Sequence, residues 1–399
     1  MHHGAGLAGW GEAARVTLPA GEDRFTAGEK WLRSVFDPAH VDDQVRARGT
    51  GPVAFGSFTF DASSDGSVLI VPRVLRGRDG RGRAWLTVFS RGDDPPQTPP
   101  APGGTPSPQT PLAPPWGGHV PPSRPRVLGW TEGSLPGPRW ERAVAEAVAA
   151  IRAGGLRKVV LARDVFATAD RPIDARVLLR RLAGRYPDCF TFACAGLVGA
   201  TPELLVRRAG REVSALVLGG TAPRGDDPAQ DLVLGRELLA SAKNTEEHRY
   251  AVDSIRDGLT PLCEALDVDA RPALLKFPNL QHLGTRVRGT LAGDGPPKSA
   301  LALAAAVHPP AAVCGTPTAA ALELIRELEH MDRERYAGPV GWVDAEGNGE
   351  WGIAIRCGQL SGNTARLFAG CGIVAGSDPA AELAETLVKL QPMRGALQG

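Results

Sequence analysis

Along most of this chain, short apolar runs follow one another with little but turn residues between them. Pro52–Phe60, Ser67–Pro72 and Trp85–Phe89 form one such group within 51–90. Phe190–Val198, Glu203–Arg207 and Glu212–Leu218 form a second, and Val340–Val343, Trp351–Arg356 and Thr364–Ala369 a third. Runs of this kind, bounded by turn residues, read as strands. Lys158-Val-Val-Leu-Ala-Arg163 is a further short buried strand. Between the groups the period changes. In Pro138–Ala153, Trp140, Val144, Val148 and Ile151 fall at helical spacing. Asp174–Tyr186, Ser299–Ala306, Thr318–Glu329 and Pro379–Leu390 read as helices, and Asp231–Leu266 as mostly helical with a break at Pro261. Strands in meander order mixed with helices predict an α+β fold of antiparallel sheets, without a strict βαβ alternation.

One stretch breaks this pattern. From Asp93 to Pro125 the chain is dominated by proline, glycine, serine and threonine. Such a segment cannot bury enough apolar surface to offset its ordering entropy. Strand-like sequence on both sides makes it a mobile insertion (93–125) within one domain spanning 1–399, rather than an interdomain linker. The chain as a whole is 43% hydrophobic over 399 residues, ample for a core. A net charge of +1 gives no field to recruit nucleic acid or an acidic membrane. No apolar run approaches the roughly eighteen residues of a membrane span, and the N-terminus lacks a signal-peptide pattern. The six cysteines form no C-x-x-C pair and the eight histidines no H-E-x-x-H motif. We therefore expect a reduced, cytoplasmic protein without structural zinc.

Charged residues at the ends of apolar runs carry the chemistry. Lys158 opens its strand. A lysine there either snorkels to solvent or acts as a base, which needs its pKa brought down from about 10.4 by burial or nearby positive charge. Glu203, in Ala200-Thr-Pro-Glu-Leu-Leu-Val206, either caps a turn or is a general acid kept protonated by burial. Lys243 and Glu247, in Lys243-Asn-Thr-Glu-Glu-His248, stand four apart on a helix, as an ordinary ion pair would. Glu382, Glu385 and Lys389 share one helical face behind an Asp378-Pro379 start. Upstream, Gly370-Cys-Gly372 could present bare backbone N–H groups to an anion. Carboxylates with few histidines suit Mg²⁺, and Arg356 could fork onto a substrate carboxylate.

From about Trp140 to Met393 these motifs resemble the chorismate-utilising enzymes, and most of all the isochorismate synthases, relatives of the anthranilate, aminodeoxychorismate and salicylate synthases. The resemblance implies a fold of large antiparallel sheets packed inside with helices outside, in two similar halves. It implies that Lys158 activates water and Glu203 is the general acid. It assigns Glu247 and Glu385 to Mg²⁺, with Glu382 near the ion. It places Gly220, Thr221, His282, Ala312, Tyr336, Arg356, Gly370 and Lys389 around chorismate. Gly219 stands where the aminodeoxychorismate enzymes carry a nucleophilic lysine, which points to water as the nucleophile. The expected reaction is the hydroxymutase conversion of chorismate to isochorismate, feeding siderophore or menaquinone biosynthesis, by a monomer with chorismate as its small-molecule partner. The alternatives are a salicylate synthase, which adds pyruvate elimination, and an inactive binding protein of the same family.

Overall fold

The computed structural model describes residues 1–90, 122, 124–293 and 298–399. The predicted 93–125 insertion lies, but for three residues, outside the described part. Every described strand pairing is antiparallel, as the meander order predicts.

Two large sheets carry the fold. The first, of seven strands, runs in the order Gly315–Thr316, Lys158–Ala169, Thr364–Ile373, Cys357–Ser361, Leu197–Thr201 and Phe190–Cys194, with Val127–Glu132 also paired to Lys158–Ala169. The second, of ten strands, runs from Cys263–Val268 through Leu280–Leu291, Glu212–Pro223, Leu204–Ala209, Gly349–Ile353, Pro339–Asp344, Val53–Ser57 and Ser67–Val71 to Ala14–Leu18, and Ala273–Lys276 pairs with Leu280–Leu291. A small sheet of Gly6–Trp10, Val74–Arg78 and Ala84–Val88 stands apart.

Helices cover the sheets. Gly137–Arg152 buries Trp140, Val144, Val148 and Ile151, the face that helical spacing marked. It packs on the helix Pro379–Gln398, which lies against the strand Thr364–Ile373. The helix Ala242–Leu259 lies on Glu212–Pro223 of the other sheet. One apolar cluster joins Val159 and Leu161 of the first sheet to Leu205, Val217 and Trp351 of the second. Burying each such side chain contributes roughly 1.5–3 kcal/mol.

Several boundaries differ from expectation, each for a local reason. Phe190–Val198 is two strands, because Ala195 and Gly196, both at positive φ, turn the chain into a hairpin. Asp231–Leu266 is not one helix. Pro228–Ala240 ends where Ser241 caps Ala242–Leu259, and 263–266 continue as strand beyond a 3₁₀ turn containing Pro261. Strand Gly349–Ile353 stops before Arg356, whose φ of 52° lies in the left-handed region.

Candidate active site

Lys158 begins the longest strand of the seven-stranded sheet and is 1% exposed. Two buried groups hold that strand. Arg333 donates to the carbonyl of Val160 at 2.7 Å and to that of Val313 at 2.8 Å. Glu329, paired with Arg333, accepts the amide of Ala162 at 2.7 Å. The lysine Nζ lies 3.3 Å from Glu247 Oε1, brought in by the helix Ala242–Leu259. Of the two conditions a base reading named, burial is met, while the near neighbour is a carboxylate rather than a cation.

The glycines beside them do a different job from the one expected. Gly370 and Gly372 form no anion-binding loop. They lie within the strand Thr364–Ile373, paired with Ala162 and Val160. A Cβ on Gly372 would stand 2.0 Å from Glu247 Oε1 and 3.0 Å from Lys158 Cε. The bare Cα is what lets helix and strand approach closely enough for the carboxylate to reach the lysine.

Glu203 precedes the strand Leu204–Ala209 and is buried. Burial pushes its carboxyl up to about 7, against the opposing pull of a Leu218 hydrogen bond and the charges of Lys158, Arg356 and Lys389. Near pH 7 it is therefore partly protonated, as a general acid requires.

A second wall forms where Glu212–Pro223 pairs with Leu280–Leu291, setting Thr221 opposite His282. Gly220 has a φ of +61°, and a Cβ there would meet Asn244 at 2.9 Å, so glycine is demanded twice over. The Nδ1 of His282 lies 3.0 Å from the carbonyl of Gly220 and 3.3 Å from the hydroxyl of Thr221, and its Nε2 lies 3.5 Å from a guanidinium nitrogen of Arg356. Burial, with help from Arg356, drops the imidazole pKa to about 3. The neutral ring donates from Nδ1 to Gly220 and turns a lone pair to Arg356.

The third wall is the helix Pro379–Gln398, capped by Asp378 through the amide of Ala381 at 2.9 Å. Glu385 and Lys389 pair at 2.5 Å, and the same ammonium donates to the carbonyl of Gly370 at 2.9 Å. Burial would raise the Glu385 carboxyl, but the charge of Lys389 and its hydrogen bond outweigh it and hold the pKa below the usual value. Glu382 is raised by burial, opposed by Lys243, whose Nζ lies 2.7 Å away. Lys243 thus pairs across the fold with Glu382, not along its own helix with Glu247. Sequence reasoning missed this contact, whose partners are 139 residues apart.

Tyr336 is buried and stacked on Phe368, with ring centroids 4.9 Å apart; burial raises its hydroxyl pKa, opposed first by Arg333 and less by Lys389 and Arg356. Ala312 is half-buried against the main core, in the turn leading to Gly315–Thr316, whose Thr316 pairs with Lys158. The contacts described here do not join Ala312 to the charged cluster.

The donor set speaks to the kind of cation it could hold. Oxygen atoms of Glu382 and Glu385 and the sulfur of Cys371 lie within 4.8 Å of one another. Burial holds the Cys371 thiol well above its ordinary pKa, and the thiol already donates to the carbonyl of Glu382 at 3.3 Å. The anionic ligands are all carboxylates, which fit a hard ion such as Mg²⁺ rather than zinc. Glu247 falls outside that close group, its carboxylate turned to Lys158.

A family model described as chorismate binding enzyme matches residues 122–398, and the chain belongs to that family. Its relatives narrow the likeness. The chain is 41% identical over 269 residues to isochorismate synthase DhbC of Bacillus subtilis, a match covering 65% of this chain and 67% of the relative. It is 42% identical over 259 residues to isochorismate synthase EntC of Escherichia coli, covering 64% and 66%. Among solved structures, MenF, the menaquinone-specific isochorismate synthase of Escherichia coli, superposes with a TM-score of 0.78 at 25% identity, over 100% of this chain and 87% of that one. Anthranilate synthase component I of Streptococcus pneumoniae, at 20% identity and a TM-score of 0.76, shares the fold over 97% of this chain and 91% of that one. No described helix is long and apolar enough to cross a membrane.

Proposed function

We propose that this chain is an Mg²⁺-dependent isochorismate synthase, converting chorismate to isochorismate. The observation that carries the reading is Glu203, a buried carboxyl held at about 7 within reach of the charge of Lys158. An acid that keeps its proton and a buried lysine are the two ends of one displacement.

In this reading Lys158 takes a proton from water, and the oxygen bonds to ring carbon C2. The ring double bonds shift and the C4–O bond breaks. Glu203 gives its proton to the departing hydroxyl, which leaves as water. One water enters and one leaves, so the reaction is an isomerisation. Arg356, steadied by His282, binds the enolpyruvyl carboxylate, and Lys389 and Tyr336 line the same pocket. Glu247 and Glu385 would hold the ion, with Glu382 beside it. Mg²⁺, when bound, neutralises and orients the C1 carboxylate of the substrate. Gly219 leaves no amine where a nitrogen nucleophile would be needed; a Cβ there would already meet His248 Nδ1 at 2.9 Å.

Chromatography of a chorismate incubation tests this. Isochorismate should form only with Mg²⁺, and Glu247→Ala or Glu385→Ala should each remove most turnover. Salicylate with pyruvate as the products would replace the reading by a salicylate synthase. Near wild-type rates in either mutant at limiting Mg²⁺ would show the ligand set to be wrong.

A further inference from the structure

Three carboxylates of this site each carry their own lysine: Glu247 with Lys158 at 3.3 Å, Glu385 with Lys389 at 2.5 Å, and Glu382 with Lys243 at 2.7 Å. Three negative charges meet three positive ones. A divalent cation entering this group would meet repulsion from every ammonium that stayed.

The three lysines differ in their freedom to leave. The side chain of Lys158 is 1% exposed, and that of Lys389 is 11% exposed and also tied to the carbonyl of Gly370. The side chain of Lys243 is 39% exposed, on a flexible stem at the first turn of the helix that bears Glu247. Building on the metal reading above, we propose that Lys243 is the displaceable counter-cation of the site. Its ammonium neutralises Glu382 when no metal is present and moves to solvent when Mg²⁺ binds. Lys243 is then a positioning residue for the ion, not a catalytic one.

Two measurements without substrate test this. Titration calorimetry of metal-free protein with MgCl₂ should show Lys243→Met binding Mg²⁺ about two- to fivefold more tightly than wild type, the range a half-exposed ion pair supports. Reductive methylation read by peptide mass spectrometry should label Lys243 of the wild type faster with saturating Mg²⁺ than without. Lys243→Met binding Mg²⁺ equally or more weakly, or labelling that Mg²⁺ does not speed, overturns the proposal. The labelling arm needs no variant and decides the matter if Lys243→Met fails to fold. Wild type that binds no Mg²⁺, or binds it undiminished in Glu385→Ala, removes the metal reading itself. Binding lost in Glu385→Ala with Lys243→Met unchanged removes only this inference.

Discussion

At the scale of single residues, two charged groups were legible because of where they stand. A lysine and a glutamate each lead into an apolar run, where a charge needs a reason, and both Lys158 and Glu203 are buried. The environment that gives Glu203 its character was not legible. It is burial, set by how distant segments pack over the carboxyl and opposed by Leu218, Lys158, Arg356 and Lys389. That environment makes a prediction. Folding raises the Glu203 pKa from an ordinary value near 4.3 to about 7. The stability it contributes is thus fully present below about pH 4.3 and is lost as pH rises through about 7. Glutamine mimics the protonated form, so the melting temperature of Glu203→Gln should gain on wild type as pH rises from about 4.3 to about 7 and level off above that. The same variant should lose roughly 10²–10⁴-fold in turnover. A constant difference in melting temperature across that range would mean that Glu203 is ionised in the folded protein.

At the scale of elements, the active site is a set of close approaches. Helical spacing identified Gly137–Arg152 and the face shared by Glu382, Glu385 and Lys389, because a period is a local property. It could not show that Glu382 meets Lys243, or that Gly372 marks the crossing of strand and helix rather than an anion loop. Both facts depend on how distant elements pack. Gly372→Ala tests the crossing. Its Cβ would stand 2.0 Å from Glu247 Oε1, so the carboxylate must move away from Lys158. Mg²⁺-dependent turnover should fall at least about tenfold, with a loss of stability within the usual range of roughly 0.5–3 kcal/mol for a point mutation. Activity near wild type would show that Glu247 acts from elsewhere.

At the scale of the whole molecule, the antiparallel architecture followed from strand order, and the family resemblance led us to expect large antiparallel sheets, found here with seven and ten strands. The long partner strand Leu280–Leu291 escaped notice because charged and small residues interrupt its apolar pattern, as in Thr285-Arg-Val-Arg-Gly-Thr290. The Pro-rich insertion enters here as a prediction from composition. Deleting Thr98 to Pro114 should leave turnover intact and shift the melting temperature by no more than about 2 °C, since closure entropy varies slowly with loop length. A larger fall would show that the segment packs.

The central claim is that Lys158 and Glu203 exchange one water for one hydroxyl on the chorismate ring. Initial-rate product made in heavy-oxygen water tests it most directly. We predict isochorismate carrying one solvent oxygen at C2 from the wild type, and none of this product from Lys158→Ala or Lys158→Arg, since arginine stays protonated. Isochorismate formed without solvent oxygen, or labelled product from either variant at a substantial rate, would contradict the account.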